Sequence, residues 1–127
     1  MANRALTRRS FILSAFAAGL GISSSIRANE KDWPQSTVTI IVPFPAGAAT
    51  DITGRVVAAK LSKMWSQPVV IDNRGGGNGI SAAEAAARAK PNGLTLFLTS
   101  AMTQAVNPAM YDKLPYDPVK DFEPITR

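Results

Sequence analysis

Residues 37–51 read TVTIIVPFPAGAATD, and the fold turns on them. Residues 37–42 are β-branched at every position and stop at Pro43, the pattern of a strand buried on both faces. A Pro/Gly/Ala loop follows. From Thr50 or Asp51 the apolar residues Ile52, Val56, Val57, Leu61 and Met64 recur at helical spacing, which predicts a helix with one of those two residues as N-cap and this stripe toward the core. Gln67-Pro68 should end it.

Working outward toward the C-terminus, Val69-Val70-Ile71 reads as a second strand and residues 73–79 (NRGGGNG) as a sharp glycine-rich loop. An Ala-rich helix is predicted over residues 80–89, closed by Lys90-Pro91-Asn92-Gly93, and residues 94–99 (LTLFLT) form a third strand. The order β-α-β-α-β predicts an α/β fold with a parallel sheet and right-handed crossovers. Beyond Ser100 the periodicity fades, so residues 100–108 are expected as loop and the rest as a proline-punctuated tail. The chain therefore reads as an incomplete domain.

Toward the N-terminus, residues 29–36 form a polar linker. Residues 1–28 carry four arginines and no acid, with an apolar run over residues 11–26 (FILSAFAAGLGISSSI) that matches a secretory h-region better than a membrane-spanning helix. Immediately before it, Thr7-Arg8-Arg9-Ser10-Phe11-Ile12 resembles a bacterial twin-arginine signal, which implies periplasmic export and cleavage between Ser25 and Ala28.

Of 127 residues, 46% are hydrophobic and 18% charged, room for one domain of ordinary size. The net charge of +5 suggests nucleic acid only until it is placed along the chain. Setting aside Arg4, Arg8, Arg9 and Arg27 leaves ten of the fourteen basic residues against nine acids, a net of +1 with no basic stripe. With no Cys and no His, disulfides, zinc fingers, Cys nucleophiles and imidazole catalysis are excluded.

In an open parallel sheet, ligands bind beyond the carboxyl ends of the strands. Three segments qualify: residues 44–51, 73–79 and 100–103. Two of them run into helix N-termini, whose free N–H groups favour an anion. Gly47, Gly76, Gly77 and Gly79 would let a ligand approach the main chain. The glycines miss both the G-x-G-x-x-G and the P-loop spacing, which weakens a nucleotide reading. Asp51 is either a helix-capping acid or an acceptor for a ligand amine or hydroxyl; Ser100 and Thr103 offer hydroxyls. Phe44 is a core plug or a pocket wall, and Trp33 and Trp65 are expected to pack against the body.

Several ordered motifs then stand together: Trp33-Pro34, residues 42–47 (VPFPAG) with Asp51, residues 69–74 (VVIDNR), residues 87–96 (ARAKPNGLTL), Asn107-Pro108 and residues 114–122 (LPYDPVKDF). They resemble the Bug-type extracytoplasmic substrate-binding proteins of tripartite tricarboxylate transporters over residues 33–127. The resemblance implies a periplasmic receptor of two α/β lobes that closes on a small organic carboxylate and delivers it to a membrane permease. It implies no catalysis, no cofactor, no metal and no nucleic-acid partner.

Carried over by position, the implied ligand residues are Phe44, Pro45, Ala46, Gly47, Ala48, Asp51, Ser100, Ala101 and Thr103, with Asn78 and Gly79 in the glycine loop. Ala48 departs from a frequent second glycine, Gly75 from a common proline, and Asn92 and Leu94 from the usual Asp and Tyr. Residues 37–127 would form only part of the first lobe, giving an impaired receptor. Two other readings are a fragment of a nucleotide- or flavin-binding α/β enzyme and a small secreted interaction protein.

Overall fold

The computed structural model describes residues 33–126. The signal expected over residues 1–28 and the start of the expected linker lie outside the described residues. The body contains β1 (Val38–Val42), α1 (Ala49–Trp65), β2 (Val69–Asn73), a short 3-10 turn (Gly77–Gly79), α2 (Ile80–Ala87), β3 (Thr95–Phe97), a π-helical stretch (Met102–Val106) and α3 (Asn107–Met110). The strands form a parallel sheet, as the β-α-β-α-β pattern predicts, and their order is β2-β1-β3.

Placing the most apolar strand in the centre follows from burial. Val38, Ile40, Ile41 and Val42 are all buried, because helices cover both faces and neighbours pair both edges. The chain steps from β1 to β2 on one side and then back across to β3 on the other. With right-handed crossovers that reversal sends α1 and α2 to opposite faces and makes the β1/β3 boundary a topological switch point. In register, Ile40 stands beside Ile71 and Leu96, and these three share a cluster with Val42 and Ala58 of α1.

The helix α1 corrects the predicted stripe. Its buried residues are Asp51, Gly54 and Ala58, while Ile52, Val56, Val57 and Met64 are exposed. The sheet supplies the bulk, so the helix must bring small residues to lie close against it. A Cβ built on Gly54 would stand 3.1 Å from Leu98 Cδ2, 3.4 Å from Ile71 Cδ1 and 3.5 Å from Val42 Cγ2. The cap is corrected as well. The N-cap is Ala48, without a side-chain hydrogen bond, and Asp51 sits three residues into the helix.

Residues 101–110 are helical, where loop was expected. The stretch has a polar buried face: Thr103 and Asn107, one turn apart, are both fully buried. Hydropathy periodicity cannot register such a face. The tail is also packed. Phe122 stacks on Phe97 at 5.5 Å and meets Tyr116 edge-on at 6.1 Å, while the Tyr116 hydroxyl donates to the Thr103 carbonyl at 2.6 Å. Trp33 and Trp65 meet edge to face at 4.9 Å, with Trp33 also lying over Gly93.

The closeness of α1 to the sheet makes Gly54 sensitive to volume. Gly54→Val is expected to lower stability by about 1–3 kcal/mol through overpacking, read as a fall in the urea midpoint with an unchanged slope.

Candidate functional site

The loop after β1 is held by a buried carboxylate. Asp51 is 2% exposed, and its oxygens accept from the Gly47 amide at 2.8 Å, Arg55 Nε at 3.0 Å and Asn73 Nδ2 at 3.0 Å. The same Asn73 amide reaches the Phe44 carbonyl at 3.2 Å, and Arg55 Nη2 donates to Asn73 Oδ1 at 3.3 Å. One side chain from the end of β2 thus ties the first turn of α1 to the loop after β1. Helical spacing brings Arg55 onto Asp51, four residues earlier.

A carboxylate in such a setting is stable only as the anion. The Arg55 hydrogen bond, then the Gly47 amide, then Asn73 lower its pKa from the ordinary 3.8 to about 2, outweighing desolvation. Asp51 therefore frames the loop, and its acceptors are taken up by the chain itself. The pairing with Arg55 also balances its charge, leaving the positive end of the α1 dipole uncancelled at the loop.

The candidate donors divide into two groups. The Gly47, Ala48 and Gly79 amides are used internally, by Asp51, the Pro45 carbonyl and the Gly76 carbonyl. Among the described residues, the amides of Ala49, Thr50 and Asp51 at the start of α1 have no acceptor, nor do those of Ala101, Met102 and Thr103. Ala46 and Gly47 are exposed at the loop tip. Gly47 has φ +86° and open space around its Cα, so close approach from solvent is possible there.

The third segment carries hydroxyls of unlike availability. Thr103 Oγ1 is fully buried and occupied by Thr99 Oγ1 and the Ser100 carbonyl. The Ser100 amide leans on Thr103 Oγ1 at 3.4 Å, and Ser100 Oγ is buried without a partner. Ala101 is exposed. The half-buried Phe44 packs on the β1/α1 cluster, which makes it a core plug.

The glycine loop is the hinge-piece between the other two segments. Gly75 packs on Pro45, where a Cβ would fall 3.1 Å from the ring. At Gly79, with φ +79°, a Cβ would lie 2.7 Å from Thr103 Cγ2 and 2.9 Å from Pro43 Cβ. Gly79 is therefore a contact glycine, and the expectation that it gives a ligand access to the main chain is corrected by that crowding. Gly76 and Gly77 have open space. Asn78, at φ +53°, has its carbonyl held by Asn107 Nδ2 at 3.0 Å.

All three strand-end segments thus adjoin at the β1/β3 switch point. Sequence reasoning passed over Arg55, Asn73 and Asn107. The Asp51/Arg55 spacing was a visible signal; the cross-loop reach of Asn73 was not. An open groove of about 550 Å³, lined by Tyr111, Tyr116 and Asp117 among others, is formed by the tail and does not include these segments. Among the described residues, no group of three or more acidic side chains gathers to hold a metal.

Comparison with known proteins matches residues 53–127 to the family described as the tripartite tricarboxylate transporter family receptor. A UPF0065 protein of Bordetella bronchiseptica is 37% identical over 117 residues, covering 92% of this chain and 34% of its own length. Protein BugT of Bordetella pertussis is 34% identical over 122 residues, with 95% and 37% covered. The chain spans about a third of the length of these curated relatives. Among solved structures, one described as a periplasmic transporter is similar at TM-score 0.72 and 46% identity, over 74% of this chain and 32% of that one. MatC from Rhodopseudomonas palustris with bound malate gives TM-score 0.67, 40% identity and coverages of 71% and 31%. An R. palustris protein solved with adipate gives 0.66, 40%, 68% and 29%.

Three outcomes test the frame. Because the folded pKa of Asp51 lies below the unfolded one, its contribution to stability is whole above about pH 4 and is lost as pH falls from 3.8 toward 2. Asp51→Asn should flatten acid unfolding in that window, read by circular dichroism against pH, and Asn73→Ala should raise the Asp51 pKa, read by carboxyl NMR titration. Gly79→Ala, strained in φ and pressed on Thr103 and Pro43, should lose more than about 1 kcal/mol in chemical denaturation.

Proposed function

This chain belongs to the tripartite tricarboxylate transporter receptor family, and on that premise we propose that it serves to seat a small organic carboxylate at its strand ends. Its homologues are binding proteins of the periplasm, and they are not enzymes. The observation that carries the reading is the pair of amide groups without an acceptor, Ala49–Asp51 and Ala101–Thr103, at the helix starts beside the β1/β3 switch point. Main-chain donors fixed by a folded frame suit a carboxylate, since they need no reorganisation when the charge arrives.

In this proposal Ala46, Gly47 and Ala48 shape the approach, the α1 amides take one carboxylate, and Ser100 and Ala101 border it from the other side. Phe44, Pro45, Asp51, Gly79 and Thr103 hold those groups in place, and Asn78 stands exposed at the rim. The malate and adipate recorded with the two R. palustris proteins support a carboxylate as the ligand class. Residues 37–127 correspond to part of the first of two lobes, the partner for delivery is a membrane permease, and residues 1–28 direct twin-arginine export. Closure of a second lobe over the ligand would strengthen binding beyond what these residues supply.

Titrating the isotope-labelled chain with malate tests this. The Ala49, Thr50, Asp51 and Ala101 amide resonances should shift together and saturate, with a dissociation constant of about 1 mM or weaker, near 4 kcal/mol of binding. FMN and ATP should leave them unmoved. The absence of any saturable shift with malate or adipate would refute the proposal.

A further inference from the structure

The glycine loop contains one residue whose surroundings exceed what a turn needs. Asn78, in the left-handed region at φ +53°, is gripped twice by the same stretch of chain. Its carbonyl accepts from Asn107 Nδ2 at 3.0 Å, and its own Nδ2 donates to the Tyr111 hydroxyl at 3.1 Å. Asn107 and Tyr111 are four residues apart and joined by a main-chain bond of 2.9 Å, so one turn presents both to the loop. The adjacent Gly79 touches Pro43 and Thr103, which places Asn78 and the Tyr111 hydroxyl where the three strand-end segments meet.

We infer that Tyr111 is a ligand-contacting residue of this site, its hydroxyl donating to a carboxylate oxygen beside the side-chain amide of Asn78. The inference rests on the carboxylate-receptor reading above and adds to it a residue outside the three strand-end loops. The tyrosine oxygen accepts one hydrogen bond and, among the described residues, donates none, so its proton is uncommitted. The residue is 39% exposed, and Asn78 is exposed beside it. The Asn78 amide carries a second proton of its own. Two neutral donors side by side on the rim match the two lone-pair directions of a carboxylate arm.

The open groove that also borders Tyr111 offers a different destination, but an unsuitable one for this ligand class. It is lined by Asp112, Asp117 and Asp121, which repel an anion.

The experiment titrates the full chain, labelled in its tyrosine rings and amides, with L-malate, alongside Tyr111→Phe. In the wild type, the Tyr111 ring and the Asn78 side-chain amide should shift in step with the Ala49–Asp51 amides. Tyr111→Phe should weaken malate about tenfold, the loss of one hydrogen bond to a charged group, while the Asn107 side-chain resonance stays in place as a sign of intact packing. Equal affinity in Tyr111→Phe, or a Tyr111 ring that stays fixed while the Ala49–Asp51 amides saturate, overturns the inference and leaves the receptor reading standing. No saturable shift at any of these positions overturns both. Should Tyr111→Phe lose its fold, the wild-type ring resonance alone decides.

Discussion

A carboxylate taken out of water constrains everything around it, and at the strand ends of this protein that carboxylate is Asp51. Left unpaired at 2% exposure it would either take up a proton or unfold the first turn of α1. The chain answers with donors from three places: the loop amide of Gly47, Arg55 one turn along the helix and Asn73 from the neighbouring strand. Each bond fixes something else. The amide bond shapes the loop, the arginine balances the charge, and the asparagine couples that loop to β2 through the Phe44 carbonyl. The helix-start amides are left without internal acceptors because the acid that could have capped them turns back to Gly47 instead.

The sheet order explains why this bears on the proposed site. With β1 central and β3 beside it, the loops leaving those two strands part toward opposite faces, and an opening between them is a property of the topology. Two glycines tune how tightly the walls of that opening approach. Gly54 lets α1 settle on the sheet, and Gly79 lets the glycine loop press between Pro43 and Thr103. In one case the missing side chain makes room for packing and in the other for a left-handed turn, so the two positions are not interchangeable in what they tolerate.

Much of this was legible in the residues. The β-branched run, the two further apolar strands and the alternation with helices specify a parallel α/β sheet, and with it which loops leave the carboxyl ends of the strands. What misled was the use of hydropathy as a compass. In α1 the bulkier apolar residues Ile52, Val56 and Met64 turn outward, because a sheet dense with Ile, Val and Leu leaves space only for Gly54 and Ala58. Over residues 101–110 the buried face consists of Thr103 and Asn107, held by bonds from the Asn107 side-chain amide to Asn78 and from Tyr116 to the Thr103 carbonyl that no hydrophobic period reports, while Asn107 Oδ1 is left buried without a partner. Asn73 was visible as the end of a strand, yet its partners lie 22 and 29 residues away, beyond what local spacing can reach.

The least regular segment has a structural consequence of its own. Tyr116 closes a span of thirteen residues onto the Thr103 carbonyl, and Phe122 lies flat over Phe97 of the edge strand. Asp117 then folds the intervening chain into a tight knot by accepting from the Val119 and Lys120 amides. These contacts make the tail a cladding for the outer strand. Trimming from the C-terminal side would take the stacking partner from Phe97 once Phe122 went, and would orphan the Thr103 carbonyl beside the strand-end loops once Tyr116 followed. The shortest piece that keeps the sheet weatherproof therefore runs well past its last regular element.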